Sequence, residues 1–196
     1  ETRNASIAMQ RIWSPRTRIG LWRRIWLALA ESQHEIGLPV GAEQVDALRG
    51  HLDDIDFAAA AVHESRLRHD VMAHVHTLGD AAPAARAIIH LGATSQDVVC
   101  HADLLVLDRA LNLVAAKLAG VIDSLARFAE AWSDLPALGF THYQPAQPTT
   151  VGRRACMWLQ ELVLALEEIE LRIERLPLRG LRGATGTQAS FLHLCG

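Results

Sequence analysis

Aromatic side chains make up only 5% of the 196 residues although 50% are hydrophobic, so the apolar content is aliphatic, with alanine and leucine foremost. That composition favours helix. No stretch of useful length alternates with the period of a strand, and there is no internal repeat or low-complexity tract. Cysteine is scarce too: Cys100, Cys156 and Cys195 are odd in number, widely spaced and form no C-x-x-C pair. They offer neither a disulfide framework nor a cysteine-bound metal, and they suit reduced thiols in a cytoplasmic protein. No apolar run approaches the length of a membrane span. An excess of one charge is missing as well, 19 basic residues standing against 22 acidic for a formal charge of −3. Without a basic stripe, neither nucleic acid nor an anionic membrane is an expected partner. A small anionic substrate stays open, because a local arginine cluster can work within a neutral whole.

What is present is helical periodicity, in a chain long enough for one good core or two small ones. Ser14-Pro15 is a helix start, with a capping hydroxyl and proline at the first helical position. From there Ile19, Trp22, Trp26, Leu29 and Ile36 recur at helical steps, Arg16, Arg18, Arg23 and Arg24 fill the other face, and Gly37 with Pro39 ends the pattern. Shorter helices are predicted around 42–49, 56–67 and 70–78, separated by Gly41, Gly50-His51 and Gly79. Leu104, Leu107, Leu111, Val114, Leu118, Val121, Leu125, Phe128 and Trp132 then alternate steps of three and four, which predicts a helix of about 45 Å. A second long helix is predicted from about Val151 to Leu176, with Trp158, Leu162, Ala165, Ile169 and Ile173 on one stripe and Leu159, Val163, Leu166 and Leu171 off it. A helix apolar on several sides needs several neighbours. The expected fold is all-α: a small helical N-terminal domain over 1–92, then the first long helices of a central bundle over 93–196, completed by further sequence or by other subunits.

Four segments carry candidate chemistry. Thr141-His142-Tyr143-Gln144-Pro145-Ala146-Gln147-Pro148-Thr149-Thr150 is polar and stiffened by two prolines, so it is extended, not helical. His142 held there suits general acid–base work; the stretch reads equally as a lead-in to the next helix with His142 on the surface. His90-Leu91-Gly92-Ala93-Thr94-Ser95-Gln96-Asp97 precedes the first long helix. Its glycine permits close backbone approach, and Thr94 and Ser95 offer hydroxyls where a helix start binds anions, or serve as an ordinary cap. Arg68-His69-Asp70 gathers a cation, an imidazole and a carboxylate near a helix start, or is a solvated turn capped by Asp70. His74 and His76 with His69 do not make a metal site: positions two apart on a helix diverge, and no H-E-x-x-H or cysteine partner is present. Gly183-Ala184-Thr185-Gly186-Thr187-Gln188 is a glycine-threonine turn without the lysine of a phosphate loop, which excludes a nucleotide hydrolase and leaves a flexible connector as the plain reading.

These segments, with Arg66-Leu67-Arg68-His69-Asp70-Val71-Met72-Ala73-His74-Val75-His76, Ile89-His90-Leu91-Gly92-Ala93-Thr94-Ser95, Val151-Gly152-Arg153-Arg154-Ala155 and Arg182-Gly183-Ala184-Thr185-Gly186-Thr187-Gln188-Ala189-Ser190-Phe191, occur in order along the chain. Together they resemble the fumarase/aspartase superfamily of lyases, in the version of its adenylosuccinate-cleaving branch. The resemblance implies an all-α, long-helix bundle and a β-elimination that splits a carbon–nitrogen bond and releases fumarate. Adenylosuccinate would give AMP, and the succinyl-carboxamide ribotide of purine synthesis its carboxamide. It implies no metal and no cofactor. By the same resemblance His142 is the general acid, Thr94 and Ser95 hold the succinyl carboxylates, and Arg68 and Asp70 contact substrate with His69 as hydrogen-bonding neighbour. Gln188 is a substrate-binding amide and Arg3 meets the nucleotide phosphate. Asn4 stands where the family carries tyrosine, so a stacking ring is lost.

The resemblance places the general base in a Ser-Ser-x-Met-Pro-x-Lys-x-Asn-Pro-like loop, and no such motif occurs in these 196 residues. The chain begins at Glu1 and stops at Cys195-Gly196, directly after a strong motif, so an amino-terminal fragment or a trimmed product is expected, inactive by itself. The resemblance also implies sites shared among subunits of a homotetramer packed through the long helices. Two alternatives stand beside it. One is another lyase of the superfamily, acting on argininosuccinate or a related substrate, disfavoured by Gln144-Pro145-Ala146-Gln147-Pro148-Thr149-Thr150 and Arg68-His69-Asp70. The other is a catalytically inactive relative or fragment serving as a helical assembly module.

Overall fold

A computed structural model describes residues 2–196. Its helices are α1 (Ile7–Ile12), α2 (Pro15–Glu35), α3 (Ala42–Gly50), α4 (Phe57–Leu67), α5 (Asp70–Ala81), α6 (Ser95–Ala131), α7 (Val151–Glu174) and α8 (Ala189–Cys195). Single 3-10 turns lie at Thr2–Asn4 and Pro83–Ala85, and a hairpin of β1 (Pro136–Thr141) and β2 (Gln144–Thr150) joins α6 to α7. The fold is thus all-α apart from one small hairpin. By packing, the chain divides into one unit made of the residues through Leu107 together with Pro177–Gly196, and another made of Asp108–Leu176. The first unit is discontinuous because the segment after α7 returns to the start of α6.

In the first unit, local chemistry sets the helix starts. Ser14 caps α2 by accepting from the Thr17 amide, with Pro15 at the first position, and Asp56 caps α4 by accepting from the Ala59 amide at 2.9 Å. The core gathers around Trp22 and Trp26, one helical turn apart with rings edge-on at 6.4 Å, together with Leu48, Val71, Leu78 and Val98. Two side chains of α2 reach the loop ahead of α6: Trp26 Nε1 donates to His90 Nδ1 at 3.1 Å, and Gln33 Nε2 donates to the Leu91 carbonyl at 3.0 Å.

Three expectations are corrected here. Arg23 does not share the solvated arginine face; it is 0% exposed, donating to the His51 carbonyl and, at 2.7 Å, to Asp54 Oδ1. Burial lowers the pKa of its guanidinium, with the adjacent Asp54 opposing that shift. Gly79 does not end α5, which runs on to Ala81. The buried apolar residues of α6 in this unit are Val98, Ala102 and Val106, spaced by four and with a small alanine at the middle, while Leu107 of the predicted stripe is exposed.

The second unit holds the rest of α6, the hairpin and α7. The strands pair antiparallel, Pro136 opposite Thr150 and Thr141 opposite Gln144, with an irregularity between Leu138 and Phe140. Gly139 sits at that irregularity, where a Cβ would lie 2.7 Å from the Gln147 carbonyl oxygen. A sequence with prolines at 145 and 148 lacks strand character by pattern, yet both strands of a two-stranded sheet are edges and tolerate missing donors. The apolar Leu138 and Phe140 face solvent, so β1 shows no inward hydrophobic alternation either. Thr150 caps α7 by accepting from the Arg153 amide at 3.1 Å, and Gly152 lies so close to α6 that a Cβ would meet the Ala129 carbonyl and the Ser133 backbone. Much of the long apolar pattern is uncovered: Val121 is 51% and Trp158 60% exposed, and Gly152 and Ala155 are the buried residues of α7.

Candidate functional site

In the first unit, three of the sequence segments meet. His69 begins α5 in extended conformation, and its Nδ1 accepts from the Met72 amide at 3.3 Å, so the capping residue is His69 and not Asp70. With Nδ1 an acceptor, the neutral ring carries its proton on Nε2, which donates to Ser95 Oγ at 3.1 Å. The Ser95 hydroxyl hydrogen is thereby left to point at some other acceptor. Asp70 Oδ1 accepts from the Val71 amide at 2.8 Å and lies 3.6 Å from His69 Nδ1. Arg68, exposed between α4 and α5, is held at φ 55°. That left-handed conformation costs a non-glycine residue about 1–2 kcal/mol, and it lets a one-step turn separate two packed helices.

Thr94 and Ser95, both half-buried, open α6. The Thr94 amide donates to Asp97 Oδ2 at 3.0 Å, the reach-back half of a capping box. Asp97 is 0% exposed, and its carboxylate also accepts from the amides of Arg182 at 2.8 Å and Gly183 at 3.0 Å. Burial pushes its pKa up, but these three amides and the Arg179 guanidinium together prevail, holding it below the usual carboxylate range and hence ionised. The turn that follows bends through Gly183 (φ 72°) and Gly186 (φ 77°) to Gln188 (φ 58°), which starts α8 and donates from Nε2 to the Leu181 carbonyl at 3.0 Å. Ser190 Oγ donates to the Gly92 carbonyl at 2.5 Å, and a Cβ on Gly92 would lie 2.7 Å from Leu194 Cδ1.

His69, Asp70, Thr94, Ser95 and the turn leading to Gln188 are therefore one linked set. Hydroxyls at the start of a 37-residue helix, backed by an imidazole donor, are chemistry suited to a carboxylate or phosphate. Arg3 and Asn4 lie in the exposed 3-10 turn Thr2–Asn4, steadied by Gln10 Nε2 donating to the carbonyls of Thr2 and Ala5. Among the described residues no hydrogen bond joins them to the linked set. Asp97 belongs to that set and was missed from sequence as a candidate; its signal was the T-x-x-D spacing from Thr94, a capping-box pattern.

The three histidines near α5 face different neighbours. His74 is buried, its ring edge-on to Trp22 at 5.7 Å and to Phe57 at 6.1 Å, whereas His76 stacks on His63 at 5.4 Å. Burial lowers the pKa of His74, and the charge of Arg23 lowers it further against an opposing pull from Asp70. Among the described residues no group of three or more histidine, cysteine, aspartate or glutamate side chains is placed to hold a metal ion, and no helix is long and apolar enough to cross a membrane.

His142 lies in the second unit, exposed at the tip of the hairpin. It and the fully exposed Tyr143 have φ 48° and φ 60°, and positive φ at both central residues is the signature of a type I′ turn. Such turns normally hold asparagine and glycine; two bulky side chains there cost about 1–2 kcal/mol each. Backbone strain of this kind concentrates at functional positions.

Comparison with known proteins adds three findings. The family described as Lyase matches residues 7–192. The chain is 47% identical to the adenylosuccinate lyase of Saccharomyces cerevisiae over 98% of its own length and 41% of that enzyme, and 47% identical to that of Schistosoma mansoni over 98% and 40%. Its fold matches the 3-carboxy-cis,cis-muconate lactonizing enzyme from Pseudomonas putida with a TM-score of 0.85 at 29% identity, covering 95% of this chain and 43% of that one. The chain spans about two-fifths of the length of these curated relatives.

Proposed function

The chain belongs to the lyase family, and from that premise we propose that it is part of an adenylosuccinate lyase, which eliminates fumarate from adenylosuccinate to give AMP and acts likewise on the succinyl-carboxamide ribotide. The observation that carries the reading is 47% identity, along nearly all of this chain, to enzymes of that one named activity.

The elimination needs a base to take the proton beside a carboxylate, stabilisation of the carbanion's charge, and an acid to protonate the departing nitrogen as the carbon–nitrogen bond breaks. His142 is the acid. Ser95, whose hydroxyl oxygen accepts a hydrogen bond from His69 Nε2, and Thr94 hold the succinyl carboxylates. Asp70 and Arg68 contact the remainder, Gln188 supplies an amide, and Arg3 meets the phosphate beside an Asn4 that offers no ring to stack on. The general base is assigned to no residue of this chain. Residues 1–92 form the N-terminal domain and 93–196 part of the central bundle, which a cytoplasmic homotetramer completes. The uncovered apolar residues of α6 and α7 support the last point, and three free cysteines suit the compartment.

The deciding experiment is fumarate release by the whole protein that contains this chain. Release from adenylosuccinate and not from argininosuccinate is expected. The reverse preference would make it another lyase of the superfamily, and binding of adenylosuccinate without turnover would make it an inactive relative.

A further inference from the structure

We propose that Asp97 is a positioning residue that shapes the carboxylate-binding corner by locking the Thr94-Ser95 segment to the Arg182-Gly183 turn; this rests on the lyase reading above. Asp97 touches no open surface, being 0% exposed, so it does not bind substrate itself. Its two oxygens are instead shared among three backbone amides: Oδ2 takes Thr94 and Gly183, each at 3.0 Å, and Oδ1 takes Arg182 at 2.8 Å. The first amide is three residues away in sequence and the others 85 and 86, so one side chain fixes two remote loops against each other.

A carboxylate is the group this geometry calls for. Both of its oxygens accept, whereas the amide nitrogen of an asparagine would confront at least one backbone N–H, donor against donor. Gly183 is buried at φ 72°, a conformation a side chain would strain, and its amide donates to Asp97. One helical turn further along α6, His101 holds the same returning segment: its Nε2 accepts from the Gly180 amide at 3.1 Å while its Nδ1 donates to the Asp97 carbonyl at 2.6 Å. Arg179 Nη1 donates to the Gln96 carbonyl at 3.0 Å, and Ser190 closes the circuit on Gly92. The first turns of α6 therefore carry a row of holds on residues 179–183, with Asp97 the charged and fully buried one. The loop bearing Thr94 and Ser95 and the turn leading to Gln188 keep their shape through it.

The test uses the whole protein, with product inhibition as the readout. Fumarate reports the carboxylate corner and AMP the rest of the site, and a melting curve accompanies each variant. In Asp97→Asn the fumarate inhibition constant is expected to weaken about tenfold or more, with AMP inhibition changed by less than about twofold. His101→Leu removes the Gly180 hold and the bond to the Asp97 carbonyl while leaving the three amides on the Asp97 carboxylate; it is expected to move fumarate inhibition in the same direction by about threefold, and it decides the matter should Asp97→Asn not fold. If fumarate and AMP inhibition weaken together, or neither moves in a folded variant, Asp97 has no such role. Wild-type protein that releases no fumarate at all would instead overturn the lyase reading, and this proposal with it.

Discussion

His69 Nε2 lies 3.1 Å from Ser95 Oγ across 26 residues of sequence, while the opposite ring nitrogen accepts the Met72 amide and caps α5. One imidazole thus does two separable jobs, starting a helix and orienting a hydroxyl. Substitution can divide them. His69→Ala is expected to lower stability by about 1 kcal/mol through the lost cap and to raise KM. His69→Asn restores the cap, so its denaturation midpoint should return toward wild type while KM stays raised. Denaturant titration beside steady-state kinetics checks both halves.

The acid role of His142 predicts that His142→Ala in the whole protein lowers kcat by about 10²–10⁴-fold with little change in folding, because the ring is exposed. Near-full turnover in that variant would remove the assignment.

Strain at the same turn predicts a gain from Tyr143→Gly. Glycine adopts φ 60° without steric cost, so stability should rise by about 1 kcal/mol, less the extra chain entropy glycine brings to the unfolded state. Equilibrium unfolding measures it directly.

Two glycines of the long helices should respond in opposite directions. Gly152→Ala drives a methyl group into the Ala129 carbonyl and the Ser133 backbone and should cost about 1–3 kcal/mol. Gly120, in the middle of α6, has nothing within 4 Å of where a Cβ would stand, so Gly120→Ala should stabilise by about 0.5–1 kcal/mol. Paired thermal melts compare them.

Stability should also fall on acidification in two steps. Burial lowers the pKa of His74 and of His90 in the folded state, so both are held neutral and the unfolded chain binds more protons below its own value of about 6.5. Their contribution is complete above that pH and is lost as pH falls through the lowered folded values. Asp97 has a folded pKa below its unfolded value of about 3.9, so its contribution is complete above that pH and disappears only in stronger acid. Urea titrations from pH 7 downward should show His74→Gln flattening the upper step and Asp97→Asn the lower one.

Much of this was legible where chemistry is local. Ser14-Pro15 announced α2 because cap and proline act within one turn, and the stripe from Leu104 to Trp132 announced α6 because its steps of three and four follow the helical period, although Leu107, Val114, Val121, Phe128 and Trp132 on it are exposed. The hairpin was hidden since Pro145 and Pro148 speak against strand and the apolar Leu138 and Phe140 point outward. The burial of Arg23 was hidden because its partners, His51 and Asp54, lie 28 and 31 residues away. His142, Thr94 and Ser95 stood out by their motifs, whereas the work of Asp97 depends on amides 85 and 86 residues distant that no spacing rule can find.

That distance has a bearing on synthesis. The first unit is discontinuous, its closing segment Pro177–Gly196 following all of Asp108–Leu176. A ribosome adding about 5–20 residues each second needs roughly 4–17 s to travel the 85 residues from Asp97 to Arg182. Through that interval the nascent chain carries an aspartate destined for the interior with two of its three amides not yet made. The amino-terminal helices can pack early, but the corner that Asp97 organises closes only after the whole of Asp108–Leu176 and the Arg182-Gly183 turn have been made.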